Sequence, residues 1–398
     1  MTTAALILVI IVLAWIAATI WLTLHVIKQL PAGRERNLLL SQAWGFPVFG
    51  LPISYLELRK LARVPLWRTP EKLPPGFIWE LPPALPATVE MQLTGVPAFK
   101  LNEQIQLVNQ LAILNWQKFD HYLQQITDAD LRQLAKQAGH RAWLMYLRQA
   151  LGQHYYLYEA QDAFVLAAME PNVVMASARF VSLAKTRIQT LLGEMARFPS
   201  DTKSILLVFD DEYSYGRYHQ IFNPKSDPVH QSSGMFFDIE NCPHFIVKRA
   251  DLLEVEPVIS HELVHNAVRW LDLPLWLNEG LAVSVERRLH RHLVDFSHLG
   301  GLEYLLQEFW CEKNIQLFWS GASFRHLDEY TYLSYELAHI LVENLAHGQE
   351  QAFSRFVRNA KAADAGAIAA QQYLSLDLGA VLCAVLNGKP GSAWFPRV

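Results

Sequence analysis

Residues 258–282 read VISHELVHNAVRWLDLPLWLNEGLA, and two pieces of this stretch decide how the chain is read. The first is His261-Glu262-Leu263-Val264-His265. Val258, Ile259, Leu263, Val264 and Val268 give the segment an apolar side, so it is expected as a half-buried helix. Side chains four apart share a helix face, so His261 and His265 can turn both imidazoles toward one metal ion. Glu262 lies about 100° round the axis, within reach of a water on that ion. A metal lowers the pKa of such a water, and a carboxylate beside it can take the proton.

The second piece is Leu273-Pro-Leu-Trp-Leu-Asn-Glu-Gly-Leu-Ala282. Catalytic zinc uses three protein ligands and keeps one position open. Val268 and Leu271 stand where a longer pattern would carry a Gly and a third His. Pro274 can open a new helix, and Glu279 falls in its early turns, fourteen residues beyond His265. A turn at Asp272-Leu273-Pro274 folds that helix back on the first and brings Glu279 to the metal. Gly280 permits close helix approach. Asp272 and Glu286 are rival ligands, the first set close to the turn, the second needing a different helix register.

Together the two pieces resemble the glutamate-zincins, and especially the peptidase-MA-like metallohydrolases. Their pattern is HExxH followed by Trp-hydrophobic-x-Glu-Gly-hydrophobic-Ala, matched here by His261 to His265 and Trp276 to Ala282. The resemblance covers about residues 170–360 and implies a zincin-like catalytic domain, a small sheet beside active-site helices. It implies that His261, His265 and Glu279 ligate Zn2+ and that Glu262 is the general base. It also implies that the strand near Met235–Ile239 is an edge on which an extended peptide adds. A Tyr from a later helix would stabilise the oxyanion. Tyr332 is the first candidate, with Tyr335 and Tyr330 behind it.

Upstream, residues 203–209 (KSILLVF), 235–239 (MFFDI) and 244–248 (HFIVK) read as short strands, with Asn241 and Pro243 between the last two. From 251 the chain reads as helical to its end, so residues 170–398 are expected as α+β. From about 101 to 198 the spacing also reads as helical. Ile105, Val108, Leu111, Ala112, Asn115 and Trp116 recur every three or four residues, Asp128 caps a further helix, and 142–170 and 172–195 follow as two more. Residues 65–97 hold eight prolines and read as an extended linker. Residues 38–58 are apolar but broken by Gly45, Pro47, Gly50 and Pro52, a membrane-surface segment or a buried loop. The expected organisation is an anchor at 1–30, a basic, Pro-rich juxtamembrane linker at 31–100, a helical region at 101–169 and the zincin-like metallopeptidase domain at 170–398.

The anchor is read from Ala4 to Ile27, which hold no Asp, Glu, Lys or Arg. At about 1.5 Å per residue that run spans a hydrocarbon core of about 30 Å. The start, Met-Thr-Thr, lacks the basic n-region of a cleavable signal. Over residues 28–72, eight Lys or Arg face three Glu, which places the C-terminal part in the cytoplasm by flanking charge.

With 52% hydrophobic residues and 18% charged, the chain is neither disordered nor a charged rod. Its net charge of −4 marks no nucleic acid as partner. Three Cys without a CxxC cannot staple the fold. No Gly-rich phosphate loop and no Gly-x-Ser-x-Gly elbow occurs. Arg287-Arg288-Leu-His-Arg-His292 reads as a solvated basic face.

The function implied is a membrane-anchored zinc metallopeptidase acting on a peptide or protein substrate. One alternative is a membrane-tethered scaffold whose zinc site is structural or degenerate, closed by a fourth ligand such as His290 or His339. Another is a peptidase whose helical region gates the cleft.

Overall fold

A computed structural model describes residues 18–24, 76–78, 80–89, 96–224, 233–240, 242–250, 252–291, 299–325 and 329–397. The chain divides into two compact units, residues Met1–Lys72 and Leu73–Val398. In the first, residues 18–24 are described and are helical. The remainder of the segment read as the anchor, and residues 31–72, lie outside the described residues. Among the described residues, no single helix is long and apolar enough to cross a membrane.

The second unit is built on a six-stranded mixed sheet in the order β1-β4-β5-β6-β8-β7. Its strands are β1 (Phe77–Ile78), β4 (Tyr156–Glu159), β5 (Ala163–Ala167), β6 (Ser204–Phe209), β7 (Gly234–Ile239) and β8 (Cys242–Lys248). β5, β6 and β8 run parallel, and the outer pairings are antiparallel. β2 (Ile105–Val108) and β3 (Leu111–Leu114) form a separate hairpin. All six residues of β6 are buried, because both faces of the sheet are covered. On one face Val165, Leu206, Val208 and Val247 pack under α3 (Pro171–Leu192), α5 (Leu252–Val268), α6 (Leu275–Leu289) and α9 (Glu329–Ala346). On the other, Phe164, Leu166, Leu207 and Ile246 meet side chains of α1 (Trp116–Gln124), α2 (Ala129–Leu151) and α4 (Glu212–Phe222). Alternating residues of each strand thus enter opposite cores. Helices α7 (Leu299–Phe309) and α8 (Ile315–Trp319) connect α6 to α9.

The mixed helix-and-sheet class expected for 170–398 is present, and the strands expected at 203–209, 235–239 and 244–248 are β6, β7 and β8. Pro243, inside β8, has no N–H to give, and it stands opposite Asp238 of β7. Asp128 does cap α2, its Oδ1 accepting from the backbone N–H groups of Asp130 and Leu131 at 2.9 Å.

The helical reading of 101–169 holds for α1 and α2 and is corrected elsewhere. Residues 105–114 form the hairpin, turning at Asn109 and Gln110 with φ of 50° and 63°. Two left-handed residues in succession make the turn that suits hairpin twist. The residues of the three-to-four spacing are divided between strands, Ile105 and Val108 on β2 and Leu111 and Ala112 on β3. The expected helix at 142–170 breaks after Leu151, where Gly152 takes φ 120°. Beyond it β4 and β5 pair antiparallel, and β5 is an apolar run buried on both faces. Strands from both sides of residue 170 therefore join one sheet.

Of the histidines buried against the second core, His140 and His244 are the most deeply set. His244 Nδ1–H donates to the Cys242 carbonyl at 2.9 Å, and its Nε2 accepts from the Tyr218 hydroxyl at 2.8 Å, a neutral tautomer. Burial pushes its pKa down to about 4, and burial with Lys136 nearby pushes His140 down to about 3. Unfolded, both have the ordinary value of about 6.5. The unfolded chain therefore binds more protons between about pH 6.5 and 4, and stability falls as pH falls through that window. Each histidine is expected to contribute up to about 1.4 kcal/mol per pH unit. Denaturant titrations at pH 7.5, 6 and 5 check this, since His140→Gln should flatten the slope.

Candidate metal centre

α5 follows β8 directly and lies against β7. Ile259, Leu263, Val264 and Ala267 are fully buried and fix its roll on the sheet. His261 and His265 then emerge together, with ring centroids 4.9 Å apart. Gly234 of β7 has no room for a Cβ against Val258, so the edge strand and the motif helix touch there.

α6 begins at Leu275 with Pro274 as its N-cap, as the sequence indicated. Trp276 anchors this start. It is fully buried, its Nε1–H donates to the Ala365 carbonyl at 3.0 Å, and its ring meets Trp319 at 5.6 Å. One turn further, Glu279 faces α5. Its Oε2 lies 3.2 Å from His261 Nε2 and 3.4 Å from His265 Nε2.

The outer ring nitrogens are engaged elsewhere. His261 Nδ1 is 3.0 Å from Glu286 Oε2, and His265 Nδ1 is 3.0 Å from Asn278 Oδ1. Carboxylate and amide oxygens accept only, so each Nδ1 carries a proton, and a ring that gives up its Nε2 proton has that lone pair to offer a cation. Donors about 2.0–2.1 Å from a tetrahedral zinc stand about 3.3 Å apart, close to the two separations above. Among the described residues, His261, His265 and Glu279 are the group of His, Cys, Asp or Glu whose donor atoms converge, all within 4.8 Å.

The two carboxyls beside the histidines differ. Burial raises Glu279, but His265 and His261 outweigh it and hold its pKa well below the usual range. Glu262 is 7% exposed, and burial raises its pKa despite His265 and His261. Its carboxyl accepts from the backbone N–H of Phe236, on β7, the last strand of the sheet among the described residues. Burial alone would depress His261, but Glu279 and Glu286 carry it well above its ordinary value.

Tyr332, the first-ranked oxyanion residue, is not brought to this cluster. It is 56% exposed, with Glu336 and Arg287 as its charged neighbours. Tyr335 is brought there, its ring centroid 6.2 Å from that of His261 and backed by Phe324 at 5.4 Å. Burial and the carboxylates of Glu279, Glu262 and Glu286 hold its phenol protonated far above pH 10. Tyr330 packs instead on Phe309 and Trp310.

The rivals also sort out. Glu286 supports His261 rather than joining the three, and Asp272 offers its carbonyl to the Ala362 N–H. His339 Nδ1 pairs with Ser284 Oγ at 2.9 Å, and burial pushes its pKa down to about 4. The stretch read as a solvated basic face is largely tied down. Arg287 pairs with Glu336, Arg288 with Glu343 at 2.9 Å, and His290 is buried, while His292 lies outside the described residues. The parts played by Asn278 and Glu286 were missed, although a signal existed. Asn278 adjoins Glu279, and Glu286 stands two helical turns on from it, on the same face.

Gly280 does permit a close approach, but to α9 rather than α5. A Cβ there would lie 2.6 Å from the Ala338 carbonyl oxygen and 2.7 Å from Val342 Cγ2. Gly280→Ala is expected to destabilise the fold by about 1–3 kcal/mol through overpacking. Helix propensity alone favours Ala by about 1 kcal/mol, so chemical denaturation reads which effect wins.

No protein-family model matches the chain, and no curated protein matches it.

Proposed function

We propose that this chain is a zinc metallopeptidase of the glutamate-zincin type, resembling the peptidase-MA-like metallohydrolases and tethered to a membrane by residues 4–27, with its catalytic part in the cytoplasm. The observation that supports it best is the convergence of two histidine Nε2 atoms on Glu279 while both Nδ1 atoms are held by other side chains. The pair of short motifs and the edge position of β7 agree with it. The structural-zinc alternative needs a closing ligand, and its two candidates, His290 and His339, are bonded to Ser260 and Ser284.

Zinc held by His261 Nε2, His265 Nε2 and Glu279 would supply a Lewis acid that polarises a peptide carbonyl and acidifies a water. Glu262 takes the proton of the attacking water and returns it to the departing amine nitrogen. Its raised pKa suits it to both transfers. Tyr335 donates its hydroxyl proton in a hydrogen bond to the oxygen that becomes negative in the tetrahedral intermediate. β7, at the end of the strand order, pairs with the extended substrate backbone.

Elemental analysis of the full chain in detergent is expected to find one zinc, and far less in Glu279→Ala. Glu262→Gln should keep the zinc and lose peptide cleavage by about 10²–10⁴-fold. Tyr335→Phe should lose about 10²-fold or more, and Tyr332→Phe little. A parent that takes up no zinc after reconstitution, or a Glu262→Gln variant with full turnover, removes the proposal.

A further inference from the structure

We propose that Ser260 and His290 are positioning residues of this centre, acting through Glu286 and His261. The inference rests on the zinc reading above and adds residues that neither short motif contains. Ser260 immediately precedes His261 and is fully buried. Its hydroxyl donates to the Glu256 carbonyl one turn back, at 3.0 Å. Its lone pairs are left to accept from His290 Nε2–H, at 2.9 Å.

His290 is 6% exposed and closes the C-terminal end of α6, its backbone N–H donating to the Glu286 carbonyl at 2.9 Å. The ring of Phe180, from α3, backs it at 5.9 Å. Besides the contacts of Glu279 with both imidazoles, the α5–α6 hairpin is laced by His265 to Asn278, His261 to Glu286 and Ser260 to His290.

The third bond matters because of where Glu286 stands. Glu286 lies in the last turn of α6, and the carbonyls of a last turn have no following turn to hold them. A buried bond at its C-cap stops that turn from fraying. Without it Glu286 can swing away from His261 Nδ1, and the His261 ring is then free to rotate or change tautomer. Ser260 receives the bond one residue from the ligand, so little slack separates cause from effect.

The test uses full-length Ser260→Ala, His290→Leu, His290→Gln and the double variant Ser260→Ala/His290→Leu. It reads the zinc dissociation constant by chelator competition and the visible absorption of the Co2+-substituted protein. Ser260→Ala and His290→Leu should each weaken zinc about 10-fold or more and alter the cobalt bands. The double variant should be little worse than either single one, because both remove the same bond. His290→Gln, which keeps an N–H able to reach Ser260, should stay near the parent. Parental zinc affinity and cobalt spectra in both single variants, with only a lowered melting temperature, would reduce the contact to packing and overturn the inference. Should His290→Leu fail to fold, Ser260→Ala, which removes one oxygen atom, decides it. A parent that binds neither zinc nor cobalt overturns the zinc reading and this inference together. A parent that binds, with unchanged variants, overturns this inference alone.

Discussion

One carboxylate oxygen held between two imidazoles organises this half of the molecule. Glu279 Oε2 faces His261 Nε2 and His265 Nε2 inside a helical hairpin, where the three side chains are 12–14% exposed. A carboxylate buried there without a partner costs several kcal/mol, so the two helices must keep a register that keeps the three groups together. That register is set from outside the cluster. The sheet and its apolar contacts fix the roll of α5, and Trp276 fixes where α6 begins. The anchor is firm enough to hold Ala365, fully buried, in the left-handed region at φ 51°, where its carbonyl meets the indole N–H.

The third helix enters by packing rather than by charge. Gly280 lets α9 approach α6 until Ala338 nearly touches the backbone, and this carries Tyr335 over His261. A longer side chain at 280 would separate the tyrosine from the histidines without touching either. The glycine beside the third donor is therefore explained by its distance to α9, a helix more than fifty residues away in sequence.

How much of this was legible in the sequence follows from the range of the signals. Proximity of Glu279 to the histidines could be read, because a four-residue helical repeat, a proline and a short return are all local. The strands β6, β7 and β8 were legible because each is a short apolar run bounded by turn residues. The region 101–169 was not. A hairpin that buries mainly one of its strands scatters apolar residues at intervals resembling a helical face, and nothing nearby reveals that β3 is covered by α2. The tyrosine was misjudged for a related reason. Tyr330, Tyr332 and Tyr335 all begin the same helix, and only the direction from which α6 crosses α9 selects one of them. Crossing directions come from long-range packing, which residue spacing does not encode.

Within the cluster, two carboxyls beside the same histidines have opposite pKa shifts. Glu262 is buried, Glu279 keeps 12% of its side chain exposed, and both lie beside His261 and His265. Glu279 is bonded to both rings, so its charged form is stabilised more than burial penalises it. Glu262 has a single backbone N–H from the sheet edge, so burial wins and its proton affinity rises. In the proposed reading the ionised group is the ligand and the group of raised proton affinity is the proton carrier. In the proposed reaction the division of labour thus needs no difference in residue type. It follows from which carboxyl lies across the hairpin from the imidazoles and which is turned toward β7.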